Sequence, residues 1–169
     1  ALTAAGFEVH TEVEISALRR EVGEMSSDQI VSVIAAQARQ VRDGVCAKRR
    51  LGHNILAIGG DHSIAIGSVA GAAIAASRDI GLIWIDAHAD INTPETSPSG
   101  NVHGMPVAVL LGWGDARLTT VVERPIKKEY LLYIGIKDLD QPEIDLLRRE
   151  NIAAVTLFDM LEHGFSAVT

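Results

Sequence analysis

Asn54-Ile-Leu-Ala-Ile58 is an apolar run closed by Gly59-Gly60, Ile64 to Ser77 is rich in Ala and Ile, and Gly81-Leu-Ile-Trp-Ile85 is a second apolar run. The order reads strand, helix, strand. Strands that are apolar almost throughout are the kind buried on both faces of a parallel sheet, and the intervening helix is the crossover that a parallel pair needs. The same alternation returns downstream. Tyr130 to Ile136 reads as a strand, Gln141 to Arg149 as a helix, Ile152 to Phe158 as a strand, and Asp159-Met-Leu-Glu162 opens a further helix. Upstream, Ile30, Ile34, Ala38, Val41 and Val45 recur at steps of four and three between Ser26 and Arg50, which is the stripe of an amphipathic helix. Ser26, Ser27 and Asp28 can cap its first amides, and Lys48, Arg49 and Arg50 suit the negative end of its dipole. The expected fold is α/β: an open, doubly wound, mostly parallel sheet flanked by helices in three layers, one domain over residues 1–169. No solenoid-period repeat and no low-complexity tract interrupts it.

Composition narrows the function. The chain has 169 residues, 47% of them hydrophobic, and 15 Lys plus Arg against 22 Asp plus Glu give a formal net charge of −7. An acidic balance without a block of basic residues argues against a nucleic-acid surface, which needs clustered cations to displace counterions from phosphate. No apolar run approaches the ~20 residues that span a bilayer. Cys46 is the one cysteine, so no intrachain disulfide forms; that fits a reducing compartment, and a cytoplasmic protein is expected. Residues 1–7 carry no positively charged leader, and the start at Ala1 suggests a chain that begins inside a longer reading frame.

The chemistry concentrates in Asp86-Ala-His-Ala-Asp90, directly after the second apolar run. In an extended chain alternate side chains leave on one side, so Asp86, His88 and Asp90 can converge just past the end of the strand. His62, in Gly59-Gly-Asp-His-Ser63, stands at the corresponding end of the preceding strand, and adjacent strands would place all four in one crevice. A phosphate loop is the rival for that glycine turn. It lacks the GxGxxG pattern and a following Lys, and Asp61 would repel an anion. Imidazole and carboxylate donors without thiolate select Mn, Fe, Co, Ni or Zn. Two Asp between two His suit a pair of ions roughly 3.5 to 4 Å apart with a water activated between them. A single Zn held by His62, His88 and one Asp is the simpler alternative. Either way the expected chemistry is metal-assisted hydrolysis. The long aperiodic stretch from Ala87 to His103, with Pro94, Pro98 and Gly100, is where such a fold would keep its site.

Gly-Gly-Asp-His-Ser, then Asp86-Ala-His-Ala-Asp-Ile-Asn92, then Ser99-Gly-Asn-Val-His-Gly104 resemble the ureohydrolases, and most closely the arginases. The motif match runs from Ile58 to about Glu143. The resemblance implies hydrolysis of L-arginine to L-ornithine and urea at a two-manganese centre. It implies that His62 binds one manganese, His88 the other, and that Asp86 and Asp90 bridge or complete both, with Asp90 also serving the catalysis. Asn92, Ser99 and Asn101 match the loop that grips the substrate α-carboxylate, with Ser97 a further candidate. His103 matches the proton shuttle, and Asp140 and Glu143 match acidic residues near the α-amino group. The residue types agree: Asn and Ser donate to a carboxylate without adding charge, Asp140 can meet an ammonium or cap the helix from Gln141, and histidine exchanges protons near neutral pH. The same resemblance implies a homo-oligomer, trimer or hexamer. The family continues past this length to an Asp-x-Asp pair that completes both metal shells and a Glu that meets the guanidinium. Neither has a counterpart here, since Asp159 is followed two residues on by Leu161. The chain therefore reads as a central segment, incomplete at both ends, that supplies four of the usual ligands. A ureohydrolase acting on agmatine, a guanidino acid or formiminoglutamate is the alternative within the family. A non-catalytic binding module on the same fold is the alternative outside it.

Overall fold

The computed structural model describes residues 3–6, 8–9, 25–164 and 166; residues 1, 2 and 7 of the opening stretch lie outside them. Its long helix α1 (Ser27–Arg50) begins in a reciprocal cap: the Ser26 hydroxyl accepts from the Gln29 amide, and the Gln29 side chain accepts from the Ser26 amide. Each bond satisfies a donor that the first helical turn cannot pair internally. Helix α2 (Ile64–Ala76) is almost wholly apolar and buries Ala65, Ile66, Ala70 and Ala73. It lies against α1 with little space between backbones. A Cβ on Gly67 would fall on the Ala38 carbonyl oxygen and 2.7 Å from Val41 Cβ, and one on Gly71 would meet Arg42 and Val45 in the same way.

The sheet has three parallel strands, β1 (Leu82–Ile85), β2 (Leu131–Ile136) and β3 (Ala153–Thr156), in the order β1-β2-β3. Between β1 and β2 lie two short helices, α3 (Pro106–Leu110), buried throughout, and α4 (Ala116–Thr119), capped by Asp115. Helix α5 (Gln141–Glu150) links β2 to β3, and α6 (Leu157–His163) follows β3. Trp84 and Tyr133 face the core with Ile66, Ile91, Val107, Leu110 and Leu118. Arg117 ties α4 to the start of α1 by bonding both Asp115 and Asp28.

Two expected strands need correction. Residues 54–58 form no strand: they are exposed and unpaired in any sheet, because β1 takes β2 on one edge and no described strand lies on the other. An extended segment becomes a strand only where a neighbour supplies its backbone hydrogen bonds. His62 is therefore not delivered from a strand adjacent to β1. The last strand also stops at Thr156 rather than Phe158, since Thr156 caps α6 in a reciprocal bond with Asp159. That cap ends extended structure and accounts for Asp159.

One irregularity joins the segments beyond β1 and β2. The β2–β3 register shifts at Gly135, which has φ +88°, a conformation open to glycine. Past it, the Lys137 and Asp138 amides both donate to the Ala87 carbonyl, and the Asp86 amide donates to the Ile134 carbonyl. The segment after β1 is thus stitched to the segment after β2.

Candidate metal centre

Donor atoms of His62, Asp86 and Asp90 lie within 4.8 Å of one another. His62 enters from the turn before α2, where the Asp61 carboxylate accepts from the Ser63 amide and fixes the bend. Asp86 and Asp90 enter from the segment after β1. His62 Nδ1 is 2.6 Å from Asp90 Oδ2 and 3.7 Å from Asp86 Oδ2, and its ring stacks on Trp84 with centroids 4.5 Å apart.

The convergence does not come from an extended chain alone. Asp86 Oδ1 accepts from the His88 amide, a local turn, and Asp90 has φ +49°. That left-handed residue brings the Asp90 carboxylate back beside Asp86, while His88 stands at the side with Nδ1 3.2 Å from Asp86 Oδ1 and Nε2 3.6 Å from Asp138 Oδ2. Three of the four expected ligands are therefore gathered at one point, and the fourth adjoins through Asp86.

The electrostatics suit a cation. Asp90 is 6% exposed, and its Oδ2, 2.6 Å from His62 Nδ1, has no hydrogen-bond partner among the described residues. Burial raises the Asp90 pKa, His62 opposes that shift, and the Asp86 carboxylate adds to it. A buried anion without a donor is unfavourable by several kcal/mol, which a metal ion with open coordination relieves. The donor set and the orphaned oxygen fit a divalent cation.

The remaining expected residues lie on the loop after Asp90 and at the start of α5. Asn92 is buried; its Nδ2 donates to Asp140 Oδ2 at 2.8 Å, and its Oδ1 accepts from Thr96 at 2.8 Å. Ser99 and Asn101 are exposed on the loop, where Ser99 Oγ accepts from the Asn101 amide and Ser97 Oγ from the Gly100 amide. His103 is exposed, with Nδ1 3.8 Å from Asp61 Oδ2. Asp140 caps α5 by accepting from the Glu143 amide at 3.0 Å. Glu143 is 5% exposed, and its two oxygens accept from the Ile91 and Asp140 amides. Burial raises its pKa. Burial also raises that of Tyr133, whose hydroxyl donates to the Ala89 carbonyl at 2.7 Å.

Sequence reasoning passed over Trp84, Asp138 and Tyr133. Trp84 was within reach of it: it precedes Asp86 by two on the strand, so strand periodicity places the indole beneath the site. Asp138 and Tyr133 carry no local signal, because they reach the ligand segment across the sheet.

Comparison with known proteins leads to the same family. The family model described as Arginase family matches residues 5–169. The chain belongs to the arginase family. An arginase of Emericella nidulans is 36% identical over 96% of this chain and 54% of its own length. The arginase of Bacillus caldovelox is 46% identical over 67% of this chain and 38% of its own. A solved structure of the Bacillus caldovelox arginase superposes with a TM-score of 0.78 at 39% identity, spanning 82% of this chain and 46% of that one. The Entamoeba histolytica arginase, solved in complex with L-ornithine, gives 0.74 at 33% identity, spanning 82% and 48%. The fold is arginase-like, and the chain spans about half the length of the curated relatives it matches. A formimidoylglutamase of Bacillus subtilis, at 23% identity and a TM-score of 0.60, shares the fold.

Proposed function

We propose that the protein is an arginase, hydrolysing L-arginine to L-ornithine and urea with manganese held by His62, Asp86, His88 and Asp90. The observation that carries the reading is the buried Asp90 oxygen without a donor, set beside His62 and Asp86 in a member of this family. A divalent metal bound there supplies a water acidic enough to give hydroxide near neutral pH. Residues around it supply the rest. In the net reaction the water oxygen ends in urea, the bond between the guanidinium carbon and the nitrogen that stays with ornithine breaks, and that nitrogen takes up a proton. His103 moves that proton, and its Nδ1 lies 3.8 Å from the Asp61 carboxylate. Ser99 and Asn101, exposed on the loop, meet the substrate α-carboxylate, with Asn92 anchoring that loop to Asp140. Asp140 provides negative charge at the α-amino end. The setting is one partial ureohydrolase domain in a cytoplasmic homo-oligomer, trimer or hexamer. No described helix is long and apolar enough to cross a membrane.

The test is direct. The intact protein loaded with Mn(II) should release urea and ornithine from L-arginine. Metal-loaded, folded protein that releases neither overturns the proposal. Equal turnover of arginine and its decarboxylated analogue would move the assignment to another ureohydrolase.

A further inference from the structure

The Asp90 conformation is unfavourable on its own account. A non-glycine residue in the left-handed region is disfavoured by roughly 1 kcal/mol or more, and the Asp90 oxygen that meets His62 has no hydrogen bond to hold it. The side chain is therefore aimed by its backbone. On the far side of that backbone lies the β2–α5 corner. Tyr133 holds the Ala89 carbonyl, Glu143 Oε1 holds the Ile91 amide at 3.4 Å, and Asp140 holds the Asn92 side chain.

Glu143 is the unusual member. A helix cap alone does not require it to be buried, because Asp140 already accepts from the first turn of α5. The comparable cap of α6 shows the difference: the Asp159 carboxylate bonds only Thr156, at the start of its own helix, and stays partly exposed. In α5 one Glu143 oxygen closes the cap and the other leaves the helix for the residue after a metal ligand. With 5% exposure and both oxygens turned to amides, Glu143 offers no face to a substrate ammonium.

We infer that Glu143 is a positioning residue, which holds the Ile91 amide so that Asp90 keeps its left-handed backbone and its carboxylate stays in the donor cluster. This rests on the metal-site reading and replaces a substrate contact for Glu143 with an action through Asp90. Glu143→Gln in the intact protein tests it. The amide is nearly isosteric but has one acceptor oxygen, so it can satisfy the Ile91 or the Asp140 amide and must set an NH2 against the other. Mn(II) affinity, read from the electron paramagnetic resonance signal of free Mn(II), should fall by about 10- to 100-fold. KM for arginine at saturating Mn(II) should stay within about twofold of the parent. Asp159→Asn, which weakens the α6 cap, should leave Mn(II) affinity unchanged. Unaltered Mn(II) affinity with a raised KM in Glu143→Gln would overturn the inference in favour of substrate contact. An equal affinity loss in Asp159→Asn would overturn it in favour of general stability. Should Glu143→Gln fail to fold, Glu143→Asp keeps the charge but is too short to reach Ile91, so the same loss is expected and full affinity overturns the inference. A parent protein that binds no Mn(II) would refute the metal site itself, a result separate from any of these.

Discussion

Asp90 carries two conflicting demands. Its carboxylate is buried, which favours the protonated acid against the opposing pull of His62, and it must be ionised to bind a metal. With the folded pKa raised above the unfolded one, the metal-free fold binds its proton more tightly than the unfolded chain does. Metal-free stability therefore falls as pH rises from the usual carboxylate range through the raised value. Asp90→Asn should remove that slope and raise metal-free stability above the raised value by about 1 kcal/mol. Asn accepts the left-handed conformation, so the backbone has no reason to move. The same variant should lose the upward shift in Tm that Mn(II) gives the parent. Thermal melts from pH 4 to 8, with and without Mn(II), check all three. His103 makes a different prediction, since it faces Asp61 and belongs to no donor cluster among the described residues: His103→Asn should lower kcat about 10²- to 10⁴-fold while metal content by elemental analysis is unchanged.

Among the elements, the α1–α2 pair is the scaffold on which His62 depends, because His62 lies in the turn that opens α2. The two backbones meet at Gly67 and Gly71, where added side-chain atoms would meet carbonyl oxygens that cannot swing away. Gly67→Ala improves intrinsic helix propensity, which taken alone would stabilise α2 by up to about 1 kcal/mol. The overpacking term is larger, typically 1–3 kcal/mol and felt here by main chain. Net destabilisation is expected, read as a lower urea midpoint, with Mn(II) affinity falling alongside it as α2 shifts. A more stable Gly67→Ala protein would show that the helices can part without loss. The α5 corner is the second scaffold, and it acts from the other side of the cluster. The ligand set is thus held between a helix pair and a strand–helix turn remote from it in sequence.

Across the whole molecule, apolar surface is unevenly covered. On β1, Leu82 and Trp84 turn to the core, while Ile83 and Ile85 share the opposite face and are 60% and 76% exposed. Leu56, Ile58, Phe158 and Leu161 are also exposed. The 169-residue chain by itself should bind a hydrophobic dye and self-associate, as exposed apolar side chains and a β1 edge that no described strand pairs both favour. Replacing Ile83 and Ile85 with Thr should lower dye binding and association while moving Tm by only a few degrees, since neither side chain is buried; a parent protein that stays monomeric and dye-free would contradict this. The parallel α/β plan, the helices at 27–50, 64–76 and 141–150, and the strands at 82–85 and 131–136 were legible along the sequence, as were the imidazole and carboxylate groups of the candidate site. Each of these comes from a local pattern: apolar periodicity, a capping side chain, or imidazole and carboxylate at fixed spacing. Residues 54–58 have the composition of a strand and form none, because pairing depends on a neighbour that composition does not describe. Asp86-x-His-x-Asp90 reads as three converging ligands, yet a left-handed Asp90 turns two of them inward and leaves His88 at the side. Glu143 reads as a substrate contact, and its reach to Ile91 exists only once α5 packs beside the ligand loop. Local chemistry is written in neighbouring residues. Burial, pairing and the aim of a carboxylate are set by groups far off in sequence, and those meet only in the folded protein.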